Sequence, residues 1–300
     1  MKKSISMLLA ALMLTGALSG CGGSSSSDSS DSQASGNDSG VSGAITVISR
    51  EDGSGTRGAF IELTGVEEKT ADGKKVDNTT ADAEIANKTD VVLTSVAGNE
   101  KAIGYISLGA LNDTVKAVKV DGAEATVDNV KAGTYKLSRP FNIATKGEPT
   151  GVAKDFINFI LSKEGQAVVT DNKYIAVNDA AESFVSDGSS GQIAVGGSSS
   201  VSPVMEKLIE AYKSVNPNAS IDLQTSDSTS GMTGAMDGTF AIGMASRELK
   251  DEEAVQLTGT AIALDGIAVI VNPANTIDEL SMDQIKSIYV GDITDWGDLA

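Results

Sequence analysis

The chain has 300 residues, with 41 acidic and 23 basic side chains and a formal net charge of −18. It contains no histidine and one cysteine, which excludes histidine-based catalytic sets and metal sites, internal disulfides and cysteine-rich metal clusters. The acidic balance and the few aromatic residues argue against nucleic-acid binding, which uses basic surfaces. We therefore expect a protein of one or two domains that binds a small molecule or acts through carboxylates, hydroxyls or arginines.

Residues 1–20 have the pattern of a secretory signal peptide. Lys2 and Lys3 precede an apolar run that is too short for a stable membrane span. The run ends in Leu18-Ser19-Gly20-Cys21, which resembles the bacterial lipobox and so implies cleavage before Cys21 and lipidation of its sulfur. The alternative is an ordinary signal peptide with a chance cysteine. Residues 21–43 are rich in Gly, Ser and Asp, which predicts a flexible tether that holds the protein at the outer face of the bacterial cell membrane.

Beyond the tether, short apolar runs alternate with segments of helical periodicity. The pattern predicts strands at 44–48, 102–107, 115–120, 141–144, 193–195 and 220–224, and two strand segments within 261–271, separated at Asp265-Gly266. It predicts helices at 56–64, 91–96, 153–161, 201–215 and 281–289. Alternation of this kind predicts α/β architecture with largely parallel sheets.

Four loops that each follow a predicted strand are rich in glycine and hydroxyl side chains. They span 49–58 (SREDGSGTRG), 196–203, 226–231 and 244–247. A helix N-terminus presents unpaired amides and a positive dipole to an anion, and arginine adds a forked charged donor. Three of the four arginines in the chain, Arg50, Arg57 and Arg247, lie in these loops. Each loop alone fits an ordinary N-capped helix, but together they predict a site for a small oxyanion.

The first loop also satisfies the dinucleotide pattern G-x-G-x-x-G. No second strand that ends in an acidic residue follows within about twenty residues, which argues against a dinucleotide site. No nucleophile accompanied by a base or a metal site is visible in the sequence. We therefore expect no enzymatic activity, no cofactor and no metal.

Six segments resemble the phosphate-binding lipoproteins of bacterial Pst-type ABC transporters, and the resemblance covers nearly all of 44–300. They are SREDGSGTRGAF at 49–60, AIGYISLGAL at 102–111, GSSSVSPVMEKLIEAY at 197–212, IGMASRELKDEE at 242–253, ALDGIAVIVNP at 263–273 and IYVGDITDW at 288–296. The resemblance implies a type II periplasmic-binding-protein fold, in which two α/β lobes joined by hinge strands close on one phosphate ion. It also implies delivery of phosphate to ABC permease subunits powered by a separate ATPase. Binding of sulfate or molybdate, or a non-transport adhesive or signalling role, remain alternatives.

The order of these segments differs from the family pattern. In the family the GSSSVSP segment stands near the N-terminus and the SREDGSGTR segment follows ITDW, whereas here the order is reversed. We interpret this as a circular permutation; the alternative is a gene fragment or a misassembly of two tandem copies. Under permutation, lobe A comprises 44–138 and 271–300 and lobe B comprises 139–270, with crossing strands near 140–144 and 266–271.

The resemblance also implies which residues of a single chain, expected to act as a monomer, contact phosphate. They are Arg50, Ser54, Gly55 and Thr56 from lobe A, and Ser199, Ser200, Val201, Ser228, Thr229, Ser230, Ser246 and Arg247 from lobe B. The alternative for Arg247 is an ion pair with a neighbouring carboxylate. We expect Asp52 to orient Arg50. Some relatives have an aspartate at the position of Ser246 that accepts the proton of hydrogen phosphate; here Asp265 is a candidate for that role, or else a turn residue before Gly266.

Overall fold

The computed structural model describes residues 41–299, so the predicted signal peptide, the lipidation site Cys21 and most of the predicted tether lie outside the described residues. The strands are β1 Thr46–Arg50, β2 Glu67–Lys69, β3 Lys75–Asp77, β4 Glu84–Ala86, β5 Ala102–Ser107, β6 Lys116–Ala117, β7 Lys119–Val120, β8 Ser138–Thr145, β9 Gly191–Ser198, β10 Ala219–Ser226, β11 Ile242–Ala245, β12 Thr258–Val271 and β13 Glu279–Leu280. The helices are α1 Gly55–Thr64, α2 Thr89–Ala97, α3 Val127–Lys131, α4 Gly151–Leu161, α5 Lys163–Asp171, α6 Ser202–Val215, α7 Ser228–Asp237, α8 Asp251–Ala254 and α9 Met282–Val290. Among residues 41–299, no helix has the length and apolar character needed to cross a bilayer.

One nine-stranded mixed sheet forms the centre of the described region, and β13-β7 and β2-β3 form two separate two-stranded sheets. The strands of the large sheet lie in the order β10-β9-β11-β8-β12-β5-β1-β4, and β6 pairs with β12. Strands β10, β9 and β11 are parallel to one another at one end, and β5, β1 and β4 are parallel at the other. The two long strands β8 and β12 lie between these parallel halves and run antiparallel to their neighbours. The fold therefore consists of two α/β halves joined through two central strands.

Each half has its own hydrophobic core. The first core takes nearly all its buried residues from 47–137 and 267–296, and in it Phe60 stacks on Tyr105 with ring centroids 3.9 Å apart. The second core takes its residues from 141–263, with Phe156 and Phe159 packed around Tyr212. We call these halves lobe A and lobe B. Their exact boundaries, at 138/139 and 270/271, stay a prediction.

The predicted elements agree with the structure except along two segments. The predicted strand at 115–120 is two short strands, β6 and β7, and the run 261–271 is not broken at Asp265-Gly266. Strand β12 continues through both residues, which pair with Arg139 and Ser138 of β8, while a bulge lies between Ala261 and Ala263. An aspartate is tolerated inside this buried strand because Ser107 and Arg139 both donate hydrogen bonds to it. The interpretation of Asp265 as a turn residue is therefore wrong.

Candidate anion-binding site between the lobes

Four helices begin at the cleft between the lobes. Helix α1 starts at Gly55 and α2 at Thr89 in lobe A, whereas α6 starts at Ser202 and α7 at Ser228 in lobe B. The parallel strands of each lobe end at the same edge, and the helices follow these strand ends. Their N-terminal amides and dipoles therefore point towards one region, which favours negative charge there.

Hydroxyl groups of the two lobes contact each other across the cleft. The Thr56 Oγ1 atom lies 2.8 Å from Ser200 Oγ, and the two atoms share a hydrogen bond. Thr89 Oγ1 lies 3.3 Å from Ser200 Oγ and 3.5 Å from Ser199 Oγ. All four residues are buried, so the loops of the two lobes meet in a solvent-excluded layer of hydroxyls.

A second group of hydroxyls comes from lobe B and faces Gly55. Ser198 Oγ donates to Ser246 Oγ at 2.9 Å, and the Ser246 amide donates to Ser228 Oγ at 3.0 Å. A methyl group at Gly55 would overlap Ser228 Oγ and stand 2.8 Å from Ser246 Oγ. The absence of a side chain at Gly55 therefore lets the start of α1 approach lobe B this closely.

Arg50, at the end of β1, is a charged donor that contacts the hydroxyl layer between the lobes. It is 2% exposed, and its Nη2 donates to Ser199 Oγ across the cleft at 3.1 Å. Its Nε and Nη2 also donate to the two carboxylate oxygens of Glu51, each at 2.8 Å. Its Nη1 has no hydrogen-bond partner within residues 41–299. A buried, charged N–H group without a partner is costly, so this atom is a donor available to an anion.

The backbone of Arg50 is held by a buried tyrosine. Tyr105 OH accepts a hydrogen bond from the Arg50 amide at 3.2 Å and shares one with Ser49 Oγ at 2.9 Å. Burial raises the pKa of Tyr105 to about 12, so the phenol is protonated at neutral pH. This contact fixes the strand end from which the Arg50 side chain extends.

Two further arginines near the cleft form ion pairs. Arg57 pairs with Asp52 at 2.8 Å and with Asp77 at 2.9 Å. Arg247 donates to both carboxylate oxygens of Glu253, at 2.7 and 2.8 Å, and to Thr229 Oγ1 at 3.3 Å. Burial alone would raise the pKa of Glu253, but the hydrogen bonds from Arg247 and the Lys250 amide outweigh it and lower the pKa. Glu253 therefore stays ionised and holds Arg247.

The arrangement is suited to binding an anion by hydrogen bonds. It offers hydroxyls that can both donate and accept, a buried guanidinium and several helix N-termini. No cluster of three or more acidic or cysteine side chains that could hold a metal ion occurs within residues 41–299.

A family model described as a PBP superfamily domain matches residues 27–164 and 183–300. The chain belongs to the PBP superfamily. Its curated relatives within the superfamily include the phosphate-binding protein PstS 2 of Streptococcus agalactiae, which is 50% identical over 99% of this chain and 98% of the relative. The PstS 2 protein of Streptococcus pneumoniae is 47% identical over 99% of both chains.

One solved structure has a similar fold. The phosphate-binding protein of a phosphate ABC transporter from Streptococcus pneumoniae superposes with a TM-score of 0.69 at 50% identity, covering 86% of this chain and 100% of that chain. The two sequence alignments run without rearrangement along nearly the whole of each relative. The segment order of this chain is therefore shared by relatives from two species, which a misassembly confined to this chain would not explain.

The PBP cleft brings together most residues that the sequence singled out. These are Arg50, Ser54, Gly55, Thr56, Ser199, Ser200, Ser228 and Ser246, all of them buried. Thr229 lies at the cleft, where its amide donates to the Gly53 carbonyl at 3.2 Å. The amide of Val201, in contrast, donates to the Ser198 carbonyl at 3.0 Å, and the exposed Ser230 bonds to Asp227, the N-cap residue of α7. A direct role of these last two residues in binding an anion stays a prediction.

Three expectations about charged residues are corrected or narrowed. Asp52 does not contact Arg50: its side chain is 98% exposed and pairs with Arg57, whereas Glu51 holds Arg50. Arg247 forms an ion pair with Glu253, which is the alternative to phosphate contact that the sequence analysis gave for it. Asp265 is buried and pairs with Arg139 at 3.2 Å. In each case the ion pair forms with the carboxylate that the folded backbone brings within reach of the arginine. Spacing along the sequence does not determine which carboxylate that is.

Sequence reasoning missed several residues at the cleft. Thr89 begins α2, and Ser198 ends β9 and donates to Ser246. A threonine ahead of the helical pattern at 91–96 was a usable signal for Thr89, since hydroxyl residues favour helix starts. The roles of Glu51 and Arg139 had no comparable signal, because both depend on contacts formed only in the folded chain.

Proposed function

We propose that this protein captures inorganic phosphate between its two lobes and delivers it to the permease of an ABC transporter. The single observation that carries the proposal is the buried Nη1 of Arg50, which has no hydrogen-bond partner among residues 41–299 and lies beside a layer of hydroxyls contributed by both lobes. The names of the full-length relatives, each called a phosphate-binding protein, support phosphate as the anion.

Phosphate would be held chiefly by Arg50, Ser54, Gly55 and Thr56 from lobe A and by Ser199, Ser200, Ser228 and Ser246 from lobe B. Each hydrogen bond to a charged group contributes about 1.5–3 kcal/mol, so a few such bonds suffice for tight binding. The net charge of −18 does not prevent this, because exposed charges more than about 10 Å away are largely screened at physiological salt. Because one chain supplies both halves of the site, we propose that it acts as a monomer.

Selection among tetrahedral anions depends on how the proton of hydrogen phosphate is accepted. The family resemblance implies that Ser246 replaces an aspartate of some family members, and its hydroxyl can accept as well as donate. We propose that the hydroxyls of Ser246 and Ser228 accept this proton. Sulfate and molybdate carry no such proton at neutral pH, so they lose this hydrogen bond unless the hydroxyls turn to donate, and we expect them to bind more weakly.

Isothermal titration calorimetry on the full chain, dialysed free of phosphate, tests the proposal. Phosphate should bind with saturable heat and raise the melting temperature, as expected for a ligand of the native state. Sulfate and molybdate, each added as competitor, should displace it poorly. Preferred binding of either anion would reassign the ligand, and no heat with any of the three at millimolar concentration would favour the adhesive or signalling alternative.

We further propose that the protein is exported and anchored by lipid at Cys21, which places the cleft at the outer face of the cell membrane. The lipobox-like segment before Cys21 supports this. In cells, the wild-type chain should incorporate a labelled fatty acid and fractionate with membranes, and Cys21→Ser should do neither. Co-purification of the permease subunits with the wild-type chain tests the transport partner.

A further inference from the structure

Four buried polar side-chain atoms have no hydrogen-bond partner in the described part of the chain. Between residues 41 and 299 they are Arg50 Nη1, the Nε and Nη1 of Arg139, and Tyr174 OH. Nearly all buried polar groups of native proteins have hydrogen-bond partners, so each exception needs an explanation. Arg50 belongs to the proposed phosphate site. The sequence did not single out Arg139 as a binding residue. Two of its guanidinium nitrogens have no partner among the described residues, whereas Arg50 has one such nitrogen.

Strand pairing places Arg139 at the cleft. Arg139 lies on the central strand β8 directly opposite Asp265 of β12. Ser107, which donates to Asp265 at 2.9 Å, is the last residue of β5, and Arg50 is the last residue of the parallel strand β1. The ends of these parallel strands meet at one edge of lobe A. Arg139 and Arg50 are therefore anchored at the same edge, and the Arg139 side chain is 2% exposed.

The Asp265 ion pair accounts for only one of the three guanidinium nitrogens of Arg139. Nη2 donates to Asp265 at 3.2 Å, and the guanidinium lies 5.5 Å from the centre of the Phe141 ring. A buried ion pair offsets its desolvation cost only when its remaining donors are also satisfied. The unpartnered Nε and Nη1 show that Asp265 alone does not satisfy Arg139.

The charges near Arg139 also favour an anion between the two arginines. Burial lowers the pKa of Arg139, Asp265 raises it, and the positive charge of Arg50 lowers it further. Two buried guanidinium groups thus influence each other, and both have free N–H donors. An anion that accepts from both would replace this repulsion with two charge-assisted contacts.

We propose that Arg139 is a second arginine that binds the phosphate ion, from the side of the central strands, while Arg50 binds it from β1. The inference rests on the proposed function and adds a binding residue to it. Asp265 serves as the counter-ion that holds one edge of the Arg139 guanidinium and leaves its other edge for the ligand.

Titration of phosphate into three full-chain proteins tests the proposal. The central variant is the double substitution Arg139→Met with Asp265→Leu, which removes the pair together and leaves no unpaired buried charge. A control double substitution, Lys207→Met with Glu210→Gln, removes an exposed ion pair on α6. Loss of charge-assisted hydrogen bonds predicts about 10- to 100-fold weaker phosphate binding in the first variant. The control should bind as tightly as the wild type.

The outcomes separate the inference from the function on which it rests. If the first variant melts near the wild-type temperature and still binds phosphate equally well, Arg139 is only the partner of Asp265 and the inference is overturned. If the wild type itself binds no phosphate, the proposed function fails and the inference fails with it. Should the double variant not fold, Arg139→Lys decides: an ammonium lacks the planar fork with which a guanidinium donates to Asp265 from one edge and to the anion from the other, so binding should weaken at least several-fold. Unchanged binding by this variant would reject the proposal.

Discussion

The hydroxyl of Thr56 lies 2.8 Å from the hydroxyl of Ser200, although the two residues are 144 positions apart in the sequence and belong to different lobes. This contact, together with the hydrogen bond from Arg50 to Ser199, joins the start of α1 to the loop that precedes α6. The site is therefore complete only when the lobes are closed. A substitution that prevents closure should abolish binding without disturbing either core.

Gly55→Ala is such a substitution. A methyl group there would overlap Ser228 Oγ and crowd Ser246 Oγ, both in the opposite lobe. Because Gly55 is the first residue of α1, alanine should be tolerated within lobe A itself. We expect phosphate affinity at least about 100-fold lower, equivalent to roughly 3 kcal/mol, with an unchanged melting temperature in phosphate-free buffer.

Gly58→Ala is the matched control on the same helix. A methyl group at Gly58 would meet only Arg247 Cδ, at 3.8 Å, which is an ordinary contact. Titration calorimetry on both variants provides the comparison. Equal phosphate affinity in the Gly55 and Gly58 variants would show that closure of the lobes does not require the close approach at Gly55.

The pairing of Arg50 gives a second prediction. Glu51 accepts two hydrogen bonds from the Arg50 guanidinium, whereas Asp52 is exposed and pairs with Arg57. Glu51→Gln should therefore let the buried guanidinium reorient and should weaken phosphate binding about 10-fold, the effect of losing one charge-assisted bond. Asp52→Asn should change affinity less than about 2-fold, since exposed ion pairs contribute little. The reverse ranking of the two variants in calorimetry would restore the role first assigned to Asp52.

The sequence predicted the architecture well because the fold depends on local patterns. The apolar run at 102–107 became β5 with the same bounds, and the serine cap at Ser281 begins α9 with a capping box. The hydroxyl-rich loops lie at the cleft because each follows a strand, and the parallel strands of one lobe end at the same edge. Loops after parallel strands are where α/β proteins bind ligands.

Pairing among charged side chains was not predictable in the same way. Glu51 and Asp52 are adjacent, and only the folded backbone determines which of them reaches Arg50. Asp265-Gly266 resembles a turn in sequence, yet it lies inside β12 because Arg139 and Ser107 satisfy the carboxylate. Both contacts of Asp265 join residues more than a hundred positions apart, so no local pattern contains them.

The connection between α5 and β9 gives a third prediction, about stability. Asp155 of α4 is buried and accepts hydrogen bonds from Ser186 Oγ at 2.8 Å, the Asp187 amide at 2.9 Å, Tyr212 OH at 2.7 Å and Asn216 Nδ2 at 3.1 Å. Burial would raise the pKa of Asp155, but these hydrogen bonds outweigh it and lower the pKa. Asp155 therefore holds the segment between α5 and β9 against lobe B.

Asp155→Asn should lower the free energy of unfolding by about 2–4 kcal/mol, because an amide cannot accept all four hydrogen bonds. Ser186→Ala, which removes one of the donors, should cost only about 1 kcal/mol. Urea unfolding measures both values, and phosphate affinity should stay unchanged in both variants. A loss of affinity in Asp155→Asn would mean that this network also shapes the cleft.

The buried carboxyl group of Asp265 gives a prediction about pH. Burial raises its pKa to about 6, although Arg139 and Ser107 partly oppose the shift. Between about pH 4, where an aspartate ordinarily titrates, and pH 6, the folded protein retains a proton that the unfolded chain has released. The contribution of Asp265 to the free energy of unfolding is therefore greatest below pH 4, and it falls as the pH rises to about 6.

Asp265→Asn removes this titration while nearly preserving the shape of the side chain. The unfolding free energy of the wild type minus that of the variant should fall by up to about 3 kcal/mol between pH 4 and pH 7. Carboxylates with a lowered pKa, such as Asp77 and Glu253, act in the opposite direction, but they are present in both proteins and cancel in the difference. Urea unfolding at pH 4, 5, 6 and 7 in phosphate-free buffer provides the values. A difference that stays constant or grows with pH would show that Arg139 keeps Asp265 ionised throughout this range.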